Sequence, residues 1–249
     1  MISHWYNHIE SVHCCYRQLG DSWAIRLRPN SPILVILESP RHNEILLNRD
    51  ATGATGSNMC VLFEFLRERI HCLSQNEKPS AFLTRLEEDD FCYKEVSVIN
   101  VADRMLNRKD QAKINRKGEW HSFSAEIADR LHKVSDLRKN NPTLVLSCGS
   151  LAHNITETVQ QIIECACIVE VYHPSDSGIM HVGCGNKILN IFMLSRYIIK
   201  CMMDWKENTI VCRRKELDGF VADKRRQKQF ENQLNELLGS EVLKLFSKE

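Results

Sequence analysis

The chain has 249 residues, 43% of them hydrophobic and 26% charged, which is ordinary for a soluble globular protein and enough to bury a real core. A formal net charge of +1 excludes a nucleic-acid binder whose whole surface is basic, so any such role needs a local patch. The longest apolar segment, Ile188 to Met203, is interrupted by Asn190, Arg196 and Lys200. It is too short and too charged to span a bilayer and is expected to be a core helix.

The eleven cysteines are expected to be reduced thiols of a cytoplasmic protein, because Met1 to Cys15 lacks the basic start and apolar run of a signal peptide. Cys14 and Cys15 are adjacent, Cys165 and Cys167 flank one residue, and no C-x-x-C occurs. The ten histidines show no ligand spacing. No metal and no cofactor are expected.

Met1 to Asn30 reads as a helical lead-in that ends before Pro32. Ile33 to Leu37 is an apolar β-branched run, a buried strand, and it stops at Glu38-Ser39-Pro40. After a polar loop, Gly53-Ala54-Thr55-Gly56-Ser57-Asn58 leads into a helix with Met59, Leu62, Phe63, Leu66, Ile70 and Leu73 on one face. Glu95 to Val101 alternates and predicts a second strand ending near Asn100. Asp103 to Glu119 is basic, with Arg104, Arg108, Lys109, Lys113, Arg116 and Lys117, and reads as a solvated excursion or a phosphate-contacting loop.

Ser122 to Arg138 has helical spacing, with a serine available as cap. Thr143 to Ser147 predicts a third buried strand, followed by Cys148-Gly149-Ser150 and a helix over Leu151 to Glu164. Cys167 to Tyr172 predicts a fourth, ending at His173-Pro174-Ser175. A loop with Gly178, Gly183 and Gly185 leads to a helix over Asn186 to Trp205. The charged tail from Asp218 reads as a peripheral helix or helical hairpin, with Phe230, Leu234, Leu237 and Leu238 on one face.

Four strands alternating with helices predict the α/β class: a single domain with a four-stranded, mostly parallel sheet flanked by helices. Residues 1–30 form the lead-in, 31–207 the α/β domain and 208–249 a C-terminal helical extension. In a parallel sheet every strand's C-terminal end lies at one edge, so Glu38, Asn100, the Gly149-Ser150 turn and His173 converge on one crevice. A carboxylate, an amide and an imidazole there make a candidate catalytic set. Each also has a plain reading, as a solvated acid, a turn residue and a structural histidine before proline.

Four stretches, LESPRHNE (Leu37 to Glu44), VINV (Val98 to Val101), LVLSCGSLAH (Leu144 to His153) and HPS (His173 to Ser175), follow the order and spacing of the uracil-DNA glycosylase superfamily. The resemblance covers roughly residues 33–200, and the first block resembles the GEAPG-type branch that carries an iron–sulfur cluster. It implies a glycosylase-like fold with Glu38 and His173 as catalytic residues. It implies base contacts from Asn100, Ser39, Ala51 and Gly53. Ser150, His153, Ser175, Ser177, Ile179, Met180, Arg104 and Arg108 would contact DNA, with Ile179 or Met180 as the apolar wedge. Arg213-Arg214-Lys215 and Lys224 to Lys228 are further candidates for phosphate contact.

The departures are specific. Leu37 stands where many members carry glycine, and Ser39 where some carry a water-activating Asp. The cluster's cysteines are missing, so no cluster is expected. The aromatic that stacks on uracil is replaced near Ala51, which implies a base bulkier than uracil, such as the glucosylated hydroxymethylcytosine of phage DNA. The expected activity is that of a monofunctional, monomeric, cytoplasmic DNA glycosylase with no membrane association, serving antiphage defence. The alternatives are a uracil-DNA glycosylase of base-excision repair and a catalytically inactive binder of the same fold. A third is a phosphate-handling α/β enzyme using Gly53-x-x-Gly56-Ser57 as an anion cradle, although that segment matches neither the P-loop nor the dinucleotide pattern.

Overall fold

A computed structural model of the chain describes residues 25–26, 31, 33–39, 54–72, 96–102, 105–106, 109–110, 114, 119–133, 144–163, 166–183, 185–205 and 208–238. The elements, in chain order, are β1 (Ile25–Arg26), β2 (Ile33–Leu37), α1 (Ala54–Cys72), β3 (Ser97–Asn100), α2 (Trp120–Lys133), β4 (Leu144–Cys148) and α3 (Ser150–Asn154). There follow α4 (Thr156–Ile162), β5 (Cys167–Val171), α5 (Asp176–Met180), α6 (Lys187–Asp204), β6 (Ile210–Cys212), α7 (Arg214–Ala222) and α8 (Lys224–Leu238).

The strands form one sheet in the order β1-β3-β2-β4-β5-β6. From β3 to β6 all neighbours are parallel, and β1 pairs antiparallel at the edge. β2, β4 and β5 are buried at every position, as continuous apolar runs must be when helices cover both faces. Ile33, Val35 and Leu37 face a core completed by α1, α6, α7 and α8. Leu34 and Ile36 face a second core containing residues of α2, α3 and α4.

The sheet therefore has six strands where four were expected. The four expected strands are its centre. The two additions are too short, at two and three residues, to show a period. β1 falls inside the expected helical lead-in, whose residues 1–24 lie outside the described ones. β6 falls at the start of the expected helical extension and pairs with β5, so that segment enters the sheet before it becomes α7 and α8. The helix expected over Leu151 to Glu164 is two helices that meet at Ile155. Ser122, expected as a cap, lies inside the first turn of α2 and donates its hydroxyl to the Glu119 carbonyl (2.9 Å).

The polar interruptions of α6 are all accounted for. Asn190 is fully buried and donates to the Ile179 carbonyl (3.0 Å). Lys200 pairs with Asp204 at the surface (2.7 Å). Arg196 is a strut between the two long helices: it donates to the Phe65 carbonyl (3.0 Å) and to Glu68 (2.6 Å), with its guanidinium over the Phe192 ring. An aromatic series, Phe65–Phe192–Phe230–Phe220–Tyr197, continues from α1 through α6 to α7 and α8. No helix among the described residues is long and apolar enough to cross a membrane.

The Arg196 and Glu68 side chains are 9% and 17% exposed, so their pairing is weakly screened. Arg196→Met keeps the bulk but leaves Glu68 without its cation. It should lower unfolding free energy by about 3 kcal/mol, read as a fall in the urea midpoint at unchanged slope.

Candidate functional site

β2 lies between β3 and β4, so the chain leaves β2 for one side of the sheet and later returns on the other. Such a switch point opens a crevice at the strands' C-terminal ends. Glu38 stands there, directly after β2. Its own carbonyl accepts from Ala102 N–H (3.0 Å), and the Leu37 carbonyl accepts from Val101 N–H (2.8 Å), which extends the parallel pairing past β3. The side chain turns toward β4. Its Oε1 accepts from the Ser150 hydroxyl (3.1 Å) and the Leu151 N–H (3.0 Å), where α3 begins and an anion is favoured.

Gly149 permits this approach. Its φ is +92°, and a Cβ there would lie 2.7 Å from Glu38 Cδ and Oε1. Its N–H donates to the Val171 carbonyl (3.0 Å), which carries the link on to β5. His153 Nε2 sits between the Ser147 (3.0 Å) and Val171 (2.9 Å) carbonyls, so that nitrogen carries the ring proton and bridges the ends of β4 and β5. Burial holds the His153 imidazole below its usual range, against the opposing pull of Glu170. The buried Cys148 thiol is pushed up by desolvation and by Glu38, which makes it a poor nucleophile.

His173 follows β5, two strands from Glu38 and roughly 10 Å across the sheet. Its Nδ1 accepts the Ser175 N–H (3.2 Å), so the ring proton is on Nε2. The loop folds back tightly: a Cβ on Gly178 would meet the His173 carbonyl oxygen at 1.9 Å, so only glycine fits. The Ser175 hydroxyl accepts from Gly178 N–H (3.3 Å) and touches Ser177 Oγ (3.3 Å). From α1, the buried Asn58 donates to the Pro174 carbonyl (2.8 Å) and to Asp176 Oδ1 (3.2 Å). Asp176 also pairs with Lys187 (2.8 Å). The Lys187 bond foremost holds its carboxyl below the usual range against desolvation, with a lesser contribution from Asn58.

Glu38, Ser39, Asn100, Ser150, His153 and His173 thus share one edge of the sheet, with Ser175, Ser177 and Met180 on the loop beyond. Ser39 is buried, and its hydroxyl has no hydrogen-bond partner among the described residues. Of the two wedge candidates, Met180 is 43% exposed and Ile179 is in the core. Ala51, Gly53, Arg104 and Arg108 lie outside the described residues. Arg213 is engaged by the buried Glu170 (2.7 Å), whose other oxygen accepts Arg214 N–H (3.1 Å). Arg226 in α8 donates to the Phe220 carbonyl (2.8 Å). Neither the role of Asn58 nor the steric demand at Gly178 shows in the sequence, whereas Asn190 stands out there as a polar interruption of an apolar run.

The arrangement offers a preset carboxylate and an imidazole N–H donor at one crevice, suited to stabilising positive charge on one fragment and negative charge on the other. Among the described residues no group of histidine, cysteine and acidic side chains is arranged to hold a metal ion, and Cys60, Cys148, Cys167, Cys201 and Cys212 are buried free thiols. No protein-family model matches the chain, and no curated protein is similar to it.

Gly149→Ala should displace the Glu38 carboxylate and cost about 1–3 kcal/mol from the strained backbone, measured as a lower melting temperature. Ser39→Ala removes a hydroxyl that is buried without a partner among the described residues and should leave the melting temperature equal or higher. For Asp176 the folded carboxyl is depressed, so its charge stabilises the fold above the unfolded value near pH 4. The stability gap between wild type and Asp176→Asn should be full above that pH and close as pH falls through the depressed value.

Proposed function

We propose that this chain is a monofunctional DNA glycosylase of the uracil-DNA glycosylase type, acting as a monomer on a flipped, modified pyrimidine bulkier than uracil. The observation that carries the reading is the pairing, on one sheet edge, of an anchored Glu38 with a His173 whose proton is on Nε2. The order of the four motifs supports it too, as does the exposed Met180 beside the histidine loop.

Extruding a nucleotide costs a few kcal/mol of stacking and pairing, and Met180 is the group that fills the vacated space. As the N-glycosidic bond lengthens, the sugar gains positive charge and the base negative charge. Glu38 faces the sugar, stabilises the cation and orients the attacking water. His173 Nε2–H donates to the departing base. Asn100 at the end of β3 reads the base's polar edge, and Ser150 contacts the adjoining phosphate. The products are the free base and an abasic site, and the water supplies the sugar's new hydroxyl and the proton the base takes up. Ser39, at the position of a water-activating Asp, favours one rival: a binder of the same fold that recognises the base without cutting it.

Alkali cleavage of DNAs carrying uracil, 5-hydroxymethylcytosine or its glucosylated form tests the reading. At least one should acquire alkali-labile sites, and Glu38→Gln and His173→Gln should each slow their formation about a hundredfold or more. Retention of wild-type rates by both variants would remove the assigned roles. Binding without alkali-labile sites on any of the three would favour the binder.

A further inference from the structure

His173 can donate from Nε2 only while Nδ1 is held as an acceptor, and the group holding it is the N–H of the peptide between Pro174 and Ser175. The carbonyl of that same peptide accepts from Asn58 (2.8 Å). A trans peptide unit is planar, with its oxygen and its hydrogen pointing in opposite directions, and the described chain contains no cis peptide. Whatever fixes the Pro174 oxygen therefore also aims the Ser175 N–H. The second hydrogen of the Asn58 amide goes to Asp176 in the same loop (3.2 Å), so both donors of one side chain are spent on the residues after His173. Packing alone does not call for an amide here. Asn58 is 2% exposed in α1, where burying an amide is costly unless its polar atoms find partners, and those partners are Pro174 and Asp176 of the histidine loop.

We propose that Asn58 is a positioning residue that sets the tautomer of His173 through the intervening peptide: Asn58 Nδ2–H to Pro174 C=O, and Ser175 N–H to His173 Nδ1. Its catalytic meaning rests on the glycosylase reading above, whereas the tautomer itself does not. Hydrogen bonds in such a chain polarise one another, so the Asn58 bond both aims and strengthens the one that reaches the ring. Asp176, tied to Lys187 (2.8 Å), braces the amide from the solvent side.

The test is long-range proton–nitrogen NMR on histidine-labelled full-length protein, joined to steady-state kinetics on whichever DNA the wild type processes. Wild type should show His173 as a single Nε2–H tautomer. Asn58→Ala should convert it to a mixture and lower kcat about tenfold, with KM within about threefold. The double variant Asn58→Asp/Asp176→Asn preserves side-chain volume and the pair between the two positions but removes the donor to Pro174. It should give the same mixture, and it answers the question if the alanine variant does not fold. Asp176→Asn alone should leave the tautomer single. A single Nε2–H tautomer in a folded variant lacking the Asn58 donor overturns the proposal. Should wild type release no base from any DNA, the glycosylase reading falls, and the NMR result still decides the role of Asn58.

Discussion

Burying a carboxylate costs several kcal/mol unless donors replace the water it loses, and the placement of those donors for Glu38 organises the crevice. They are the Ser150 hydroxyl and the Leu151 N–H, at the start of α3 just past β4, so the charge at the end of one strand is held by the residues that follow the next. This contact requires a residue without a side chain at position 149 and a backbone in the left-handed region, both supplied by Gly149. The same turn donates to the last carbonyl of β5. Three strand ends are locked in series, and His153 Nε2 closes the series from the far side. The distance from Glu38 to the histidine loop is thereby set by backbone, which deforms less than side chains.

The central strands were legible because a strand buried on both faces leaves a continuous apolar run, as in ILVIL and LVLSC, and because parallel strands send their ends to one edge. That rule alone put Glu38, Asn100, Ser150 and His173 together across 135 positions of sequence. What escaped was short or distant. IVC in β6 is three residues and carries no period of its own. The Asn58 bond spans 116 positions, and nothing near Asn58 announces it. Gly178 read as a loop glycine, whereas the reason for it is the His173 carbonyl that occupies the space of its missing Cβ. The resemblance made Ile179 and Met180 equal candidates for a wedge, and only the path of α5 separates one in the core from one in solvent.

Residues 208–238 join the sheet and its core. β6 adds to the sheet beside β5, and its following residues return to the end of β5 that leads to His173. Arg213 neutralises Glu170, an acid buried in β5 itself, and Arg214 N–H takes that acid's other oxygen. The Tyr172 hydroxyl, one residue before His173, donates to Asp218 of α7 (2.7 Å). The strand that presents the histidine is therefore clamped from β4 on one side and from β6 and α7 on the other.

This clamp changes how the basic residues of that segment are weighed. A guanidinium already paired with a buried carboxylate is a poor phosphate ligand, because binding phosphate would leave the acid uncompensated at a cost of several kcal/mol. Arg213 is thus a structural cation, and Arg226, tied to the Phe220 carbonyl and lying over its ring, is drawn inward in the same way. Arg214 lies over the Tyr172 ring, one residue before His173. Under the glycosylase proposal, phosphate contact from this segment falls to side chains other than Arg213 and Arg226, in a chain whose total charge is close to neutral.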